Sequence, residues 1–386
     1  MNKKKCRVVF IVTIEAIFPG RFLFEKMLDD VCFEARVLIA PAIYREMGID
    51  FENMYKTYKS LSRQYGTACD LSYKDEKFVD IDDQIDFACV PTCYPRTTLE
   101  RYGAKDLCNK GIKVFYIPYG YTVSNWYERE YDNLYFKYLW KYFVECEYSY
   151  NSLTEKAKLS RELLELTGYA KMDKFYAIQQ TNIRNNRRMK IIIAFHHTII
   201  NRVVFFSNFL RYVDFCLELP KMYLNIDFVF RLHPLLKNNL VKDELFGEHK
   251  MEEFFAKLNS YENVELQDDG DYFKAFLDSD ALIHDCGSFM AEYLYTGKPV
   301  CYLLKDEEIN NKNYNDFAKK CISVHYKAFN ENDIINFIDR VVVLGEDDMY
   351  LDRLRFFEYL KNDYPNTSAK ILDIIKKEFN CEENYI

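Results

Sequence analysis

The residues best suited to chemistry lie in one stretch starting at Ser279, SDALIHDCGSFMAEYLYTGKPVCYL. The apolar run Ala281–His284 predicts a strand, Asp285-Cys286-Gly287 a tight turn, and Ser288 the start of a helix that Gly297 stops before Pro299. A helix that opens at the C-terminal edge of a parallel sheet leaves backbone N–H groups unpaired, which makes an anion site. In this reading Asp285 and Gly287 shape the phosphate turn, Gly287 lets the backbone come close, and the Ser288 hydroxyl adds a donor. Glu292 follows one helical turn later, about 6 Å along the axis. That offset is the step from a diphosphate to a ribose whose hydroxyls a carboxylate accepts. The same pattern also fits an ordinary strand–turn–helix with Ser288 as cap and Glu292 in solvent.

Two further segments supply nitrogen groups. Phe228–Pro234, FVFRLHP, ends a strand with Arg231 and His233, which alternation places on one face. A guanidinium and an imidazole there suit binding and protonating a departing diphosphate. Ile191–Ile200, IIIAFHHTII, closes another strand with His196 and His197 and would face a cleft between domains. Neighbours on a strand point to opposite sides, so at most one of this pair is expected to function. The pair offers too few ligands for a metal, and no HxH or HExxH accompanies it.

The elements that must hold these residues are legible in outline. In the first half, strands are expected at Val8–Val12, Ala35–Ile39, Ile85–Val90 and Lys113–Ile117, and helices at Arg21–Asp30, Ile43–Leu61 and Thr98–Lys110. After residue 190 the alternation returns, with strands at Lys190–Ala194, Asp227–Arg231, Val264–Leu266, Ala281–His284 and Val300–Leu304. Helices are expected between them at Phe205–Leu217, Glu252–Leu258, Tyr272–Leu277 and Ser288–Tyr295. Strands spaced by helices imply βαβ units and a parallel sheet in each half. The fold class is therefore α/β with two doubly wound domains, 1–183 and 190–345, joined by the Asn- and Arg-rich Asn182–Lys190. A helical tail over about 350–386 is expected to return to the first domain.

The bulk numbers agree with two domains, since 386 residues exceed what one core sustains. A 49% apolar content with 17% aromatics excludes a disordered chain. A net charge of -8 argues against a nucleic-acid partner. The 12 cysteines show no paired CxxC spacing and read as reduced thiols of a cytoplasmic protein. The apolar run from Val8 is interrupted by Glu15 and ends at Pro19-Gly20, too short to span a membrane. Trp126–Tyr150 is dense in aromatics with Lys137 and Lys141 interleaved. It reads either as a buried aromatic helix or as a face for peripheral contact with the inner side of the cell membrane.

These motifs resemble the CDP-glycerol glycerophosphotransferase family, which builds teichoic acids and capsular poly(alditol phosphates). The family's donor loop, of the form TDYSSxxFDYxxxxKPV, is matched by HDCGSFMAEYLYTGKPV at Asp285, Ser288, Glu292, Lys298 and Pro299. Its RxHP is similar to Arg231–Pro234, and its GxPRxD to Gly168–Asp173, GYAKMD. The resemblance runs in order over roughly 110–310. It implies a GT-B fold, two Rossmann-like domains facing across a cleft, and a nucleotide-activated CDP-alditol donor. The acceptor would be a glycan or lipid-linked hydroxyl, and CMP the product. His233 would contact the diphosphate, Ser288 a phosphate and Glu292 the ribose. No tightly bound cofactor is implied, and Mg²⁺ arriving with the donor is compatible.

Two departures follow. Gly287 replaces the first serine of the family's pair. In Tyr116–Thr122, YIPYGYT, the family's TWHGT glycine survives as Gly120, but Tyr119 stands near its histidine. Tyrosine, with a pKa of about 10, is a poor base for an acceptor hydroxyl. The base then moves to His196, His197 or a carboxylate such as Glu15, or the acceptor chemistry differs, with Tyr119 and Gly120 on the acceptor side. A glycosyltransferase using a nucleotide sugar and a non-catalytic nucleotide-binding partner are the alternatives.

Overall fold

The computed structural model describes all residues except 1–3, 45–47, 83, 93, 95–96, 126–133, 182–187, 200–204, 243–245, 268–271 and 382–386. Residues 182–187 of the expected linker and part of the aromatic stretch therefore lie outside the described residues, and the linker's last two residues open a strand. The chain forms two compact units. One contains Met1–Gly120, Tyr127–Ala177 and Leu360–Ile386; the other contains Tyr121–Trp126 and Ile178–Tyr359.

The first unit is built on seven strands: β1 (Cys6–Val12), β2 (Phe33–Ile39), β3 (Cys69–Leu71), β4 (Phe87–Val90), β5 (Lys113–Tyr116), β6 (Lys141–Val144) and β7 (Leu164–Leu166). Their order is β7-β6-β5-β4-β1-β2-β3, with every pair parallel. Continuous apolar runs such as CRVVFIV are what a strand covered on both faces requires. Helix α1 (Arg21–Leu28) and the C-terminal helix α6 (Thr367–Phe379) bury Leu23, Phe24, Met27, Ile371 and Ile375 in one cluster with Phe10. The start of α6 is held from helix α2 (Lys171–Thr181), where the buried Asp173 carboxylate accepts from the Ser368 amide at 2.5 Å.

Three of these strands escape the sequence pattern. The expected helix over Ile43–Leu61 divides into a small antiparallel pair, Ala42–Tyr44 with Gly48–Asp50, and a helix over Phe51–Tyr65. Gly48 at φ 76° permits the return, and the Asp50 side chain caps the helix by accepting from Asn53 N at 2.9 Å. The Trp126–Tyr150 stretch, where described, is no continuous helix. It contains β6, buries Phe136, Tyr142 and Phe143, and pairs Lys141 with Glu165 at 2.8 Å. No helix among the described residues is long and apolar enough to cross a membrane.

The second unit carries six strands: β8 (Met189–Ala194), β9 (Ile226–Arg231), β10 (Val264–Gln267), β11 (Ala281–His284), β12 (Val300–Leu303) and β13 (Tyr326–Ala328). They run β10-β9-β8-β11-β12-β13, again all parallel. The crossover helices used below are α3 (Phe209–Met222), α4 (Phe273–Asp278) and α5 (Phe289–Glu292). Residues 121–125 join this unit, not the first. Asn315 donates to Thr122 O at 2.8 Å and Val123 O at 3.1 Å, Asn125 N donates to Asn313 O at 2.9 Å, and Ser124 bridges to Tyr314.

Candidate functional site

The order of the second sheet sets β9, β8 and β11 side by side, so their C-terminal ends deliver His233, the His196-His197 pair and the Asp285–Ser288 turn to one edge. The three histidines form a compact cluster in which His196 and His197 stack and His233 is tilted against both. Ring centroids lie 4.3 Å apart for His196 and His197, 4.3 Å for His197 and His233, and 5.5 Å for His196 and His233. His196 and His197 therefore stack on one side and do not point to opposite sides as expected. β8 ends at Ala194, so both histidines lie past the strand, where alternation no longer governs direction.

Backbone amides donate to two of the ring nitrogens, and at His196 the Thr198 hydroxyl also lies 2.9 Å from that same Nδ1. Leu235 N donates to His233 Nδ1 at 3.1 Å, and Thr198 N donates to His196 Nδ1 at 3.3 Å. A neutral imidazole that accepts at Nδ1 has its hydrogen on Nε2. Both rings thus present Nε2–H donors. His197 is placed by Asn239, which donates to its carbonyl at 2.8 Å. Burial, chiefly, holds all three rings below the ordinary histidine range: His197 falls to about 4, His233 to about 3, and His196 well below its usual value. The cluster is neutral at pH 7, and each ring disfavours a charge on its neighbours.

Asp285 is fully buried and serves as a brace, which corrects its expected place among phosphate ligands. One carboxylate oxygen accepts from His196 N at 2.6 Å, and the other takes both the amide and, at 3.4 Å, the side-chain nitrogen of Asn208. A carboxylate so placed cannot approach a phosphate and would repel it. Burial pushes its carboxyl up against the pull of these donors. Gly287 also has a packing purpose beside the expected close approach to phosphate. A Cβ there would meet Val123 Cγ2 at 3.1 Å and Phe206 Cε2 at 4.0 Å, so the missing side chain lets the 121–125 segment pack on the turn. Ser288 is half-buried, its side chain caps nothing, and α5 is a single turn.

β9 ends at Arg231 and His233 leads into the next helix, so strand alternation does not govern the direction of His233. Arg231 bonds Gln267 at 3.2 Å and lies 5.8 Å from the Tyr272 ring centroid. The Tyr272 hydroxyl donates to Glu292, which is fully buried and not set out toward solvent as a ribose acceptor would be. Lys298, part of the matched motif, caps α4 by donating to Phe276 O, Leu277 O and Ser279 O at 2.6–2.7 Å. Tyr119 and Gly120 belong to the first unit, where the Tyr169 hydroxyl donates to Tyr119 O at 2.6 Å. Among the described residues, no group of three or more His, Cys, Asp or Glu side chains is arranged to hold a metal ion.

Sequence reasoning missed the residues that organise this edge: Thr198, Asn208, Asn239 and Tyr272. Only Asn208 carried a signal, as a polar residue just before the apolar helix α3.

No protein-family model and no curated protein matches the sequence. Among solved structures, a UDP-N-acetylglucosamine 2-epimerase aligns with TM-score 0.61 at 14% identity, over 98% of this chain and 97% of that one. The UDP-GlcNAc 2-epimerase from Neisseria meningitidis bound to UDP-GlcNAc gives 0.57 at 18%, over 97% and 100%. The wall teichoic acid polymerase TagF gives 0.59 at 14%, over 100% and 91%. At such identities the likeness speaks for architecture alone. The chain has the GT-B-like α/β fold that TagF and the 2-epimerases share.

Proposed function

We propose that this protein is a transferase that moves a glycerol-phosphate or related alditol-phosphate unit from a CDP-activated donor to a hydroxyl of a glycan or lipid-linked acceptor. The observation that supports it most is the histidine cluster, which presents Nε2–H donors next to the β11 turn at the edge where parallel sheets bind ligands. The amides of Gly287 and Ser288 add donors that bond to no described residue. In the transfer, the acceptor oxygen bonds to the β-phosphorus and the bond from that phosphorus to the bridging oxygen breaks. CMP leaves with the electron pair, and the proton of the acceptor hydroxyl passes to solvent. Nε2–H donors are suited to a diphosphate, whose charge raises the depressed histidine pKa values; a proton taken up goes to Nδ1 and displaces the amide that donates there.

The same tautomers limit the roles. His196 and His233 accept at Nδ1 and carry hydrogen on Nε2, so in their neutral forms they are donors to phosphate and not the base for the acceptor hydroxyl. TagF has been soaked with CDPG, which is consistent with a cytidine donor here. A second reading, an enzyme of nucleotide sugars, is favoured by the comparable TM-scores of the 2-epimerases and by Tyr119 in place of the family's histidine. Incubation with CDP-glycerol and an acceptor is expected to release CMP. Turnover of UDP- or CMP-sugars with none of CDP-glycerol or CDP-ribitol would select the second reading.

A further inference from the structure

The second unit holds a cavity of about 540 Å³ that uses none of the residues assigned above to the diphosphate. Phe205, Ser207, Asn208, Arg211, Lys305 and Phe329 are among its lining residues. Its size lies within the range of pockets for small organic molecules. It is separated from the histidines by the Asp285 brace, since Asn208 lines the cavity while donating to the carboxylate that also holds His196 N.

The walls divide into two kinds of surface. Phe329 is a large ring 43% exposed, and Phe205, Ile199, Leu210 and Ile309 extend the apolar area. Against these stand two cations, Lys305 and Arg211, and one acid, Asp306, with the buried Asp285 acting on Lys305 from behind the wall. The Lys305 ammonium is held by Ser207 O at 2.5 Å and Asn208 Oδ1 at 3.3 Å, and sits 3.9 Å from the Phe205 ring centroid. Two of its three hydrogens have fixed partners, which leaves one donor for a ligand. Arg211, on the first turn of α3, is exposed and keeps its guanidinium available.

We propose that this cavity is a second ligand site, taking a small organic oxyanion with a flat apolar body. The anion meets Lys305 and Arg211, and the body lies on Phe205 and Phe329. The low local polarity that pulls the Lys305 pKa down strengthens any ion pair formed there. The proposal does not rest on the transferase reading, because none of the residues that would meet the ligand belongs to the β11 turn.

The test is titration calorimetry of the full chain with phenyl phosphate, benzoate, inorganic phosphate and benzyl alcohol. Phenyl phosphate or benzoate is expected to bind more tightly than either half alone, and the tighter of the two identifies the anion. Arg211→Gln and Phe329→Ala change exposed side chains and are expected to weaken that binding about 3- to 10-fold. Ser288→Ala is expected to leave it unchanged. Absence of binding, or binding indifferent to both cavity substitutions, overturns the proposal. So does binding lost in Ser288→Ala and kept in the cavity variants, an outcome that leaves the diphosphate site standing.

Discussion

Acidification should loosen the fold through the histidine cluster, and His233→Asn should remove a measurable part of that effect. An exposed histidine in the unfolded chain titrates near 6.5, while His233 in the folded protein is held down to about 3. The unfolded state therefore binds a proton that the folded state refuses. Stability is fully present above about pH 6.5 and is lost as pH falls toward 3. From 6.5 to pH 5 the loss is about 1.5 pH units at 1.36 kcal/mol each, roughly 2 kcal/mol. Water at the partly exposed ring trims this to about 1–2 kcal/mol. Urea unfolding followed by circular dichroism at pH 7 and pH 5 reads the difference. The wild type should lose more stability across that interval than His233→Asn, by about 1–2 kcal/mol. Equal losses in the two proteins would mean that His233 is not kept neutral by its surroundings, and the description of the cluster would be wrong.

Two further outcomes follow from packing. Lys298→Met removes three charge-assisted bonds at the end of α4 and should cost about 2–4 kcal/mol in urea unfolding. CDP affinity should be retained, whereas loss of CDP binding without loss of stability would make Lys298 a ligand contact. Gly287→Ala places a Cβ against Val123 and should cost about 1–3 kcal/mol. Adding Val123→Ala should recover most of that loss, and a double variant no more stable than Gly287→Ala would show that the strain lies in the turn itself.

The sequence pattern identified β11 with its observed limits, because an apolar run between Ser279-Asp280 and the turn at Gly287 leaves little freedom. It also found His196, His197 and His233, since strand ends on a parallel sheet point to one edge. It failed wherever a rule was carried past its element. Alternation was applied to His196, His197 and His233 beyond the ends of β8 and β9, where the chain direction is set by bonds to Asp285, Thr198 and Phe195. Side-chain direction was also out of reach for Glu292. Its register on α5 is visible in the sequence, but its contact with Tyr272 depends on how α4 packs. β6 was hidden because KYFV is short and sits within a run of aromatics that has no clean period. The motif resemblance assigned ligand roles to Asp285 and Glu292, whose observed partners are structural.

The most direct measurement is the number of protons taken up when CDP binds. It is read by titration calorimetry at pH 6 in buffers of different ionisation enthalpy, with wild type, His233→Asn and Ser288→Ala. A diphosphate seated among neutral imidazoles should bind with net proton uptake. That uptake should fall in His233→Asn, and affinity should drop about tenfold in both variants. CDP binding of equal affinity in all three proteins, with no proton exchanged, would contradict the claim that the histidine cluster and the Ser288 turn together receive the diphosphate.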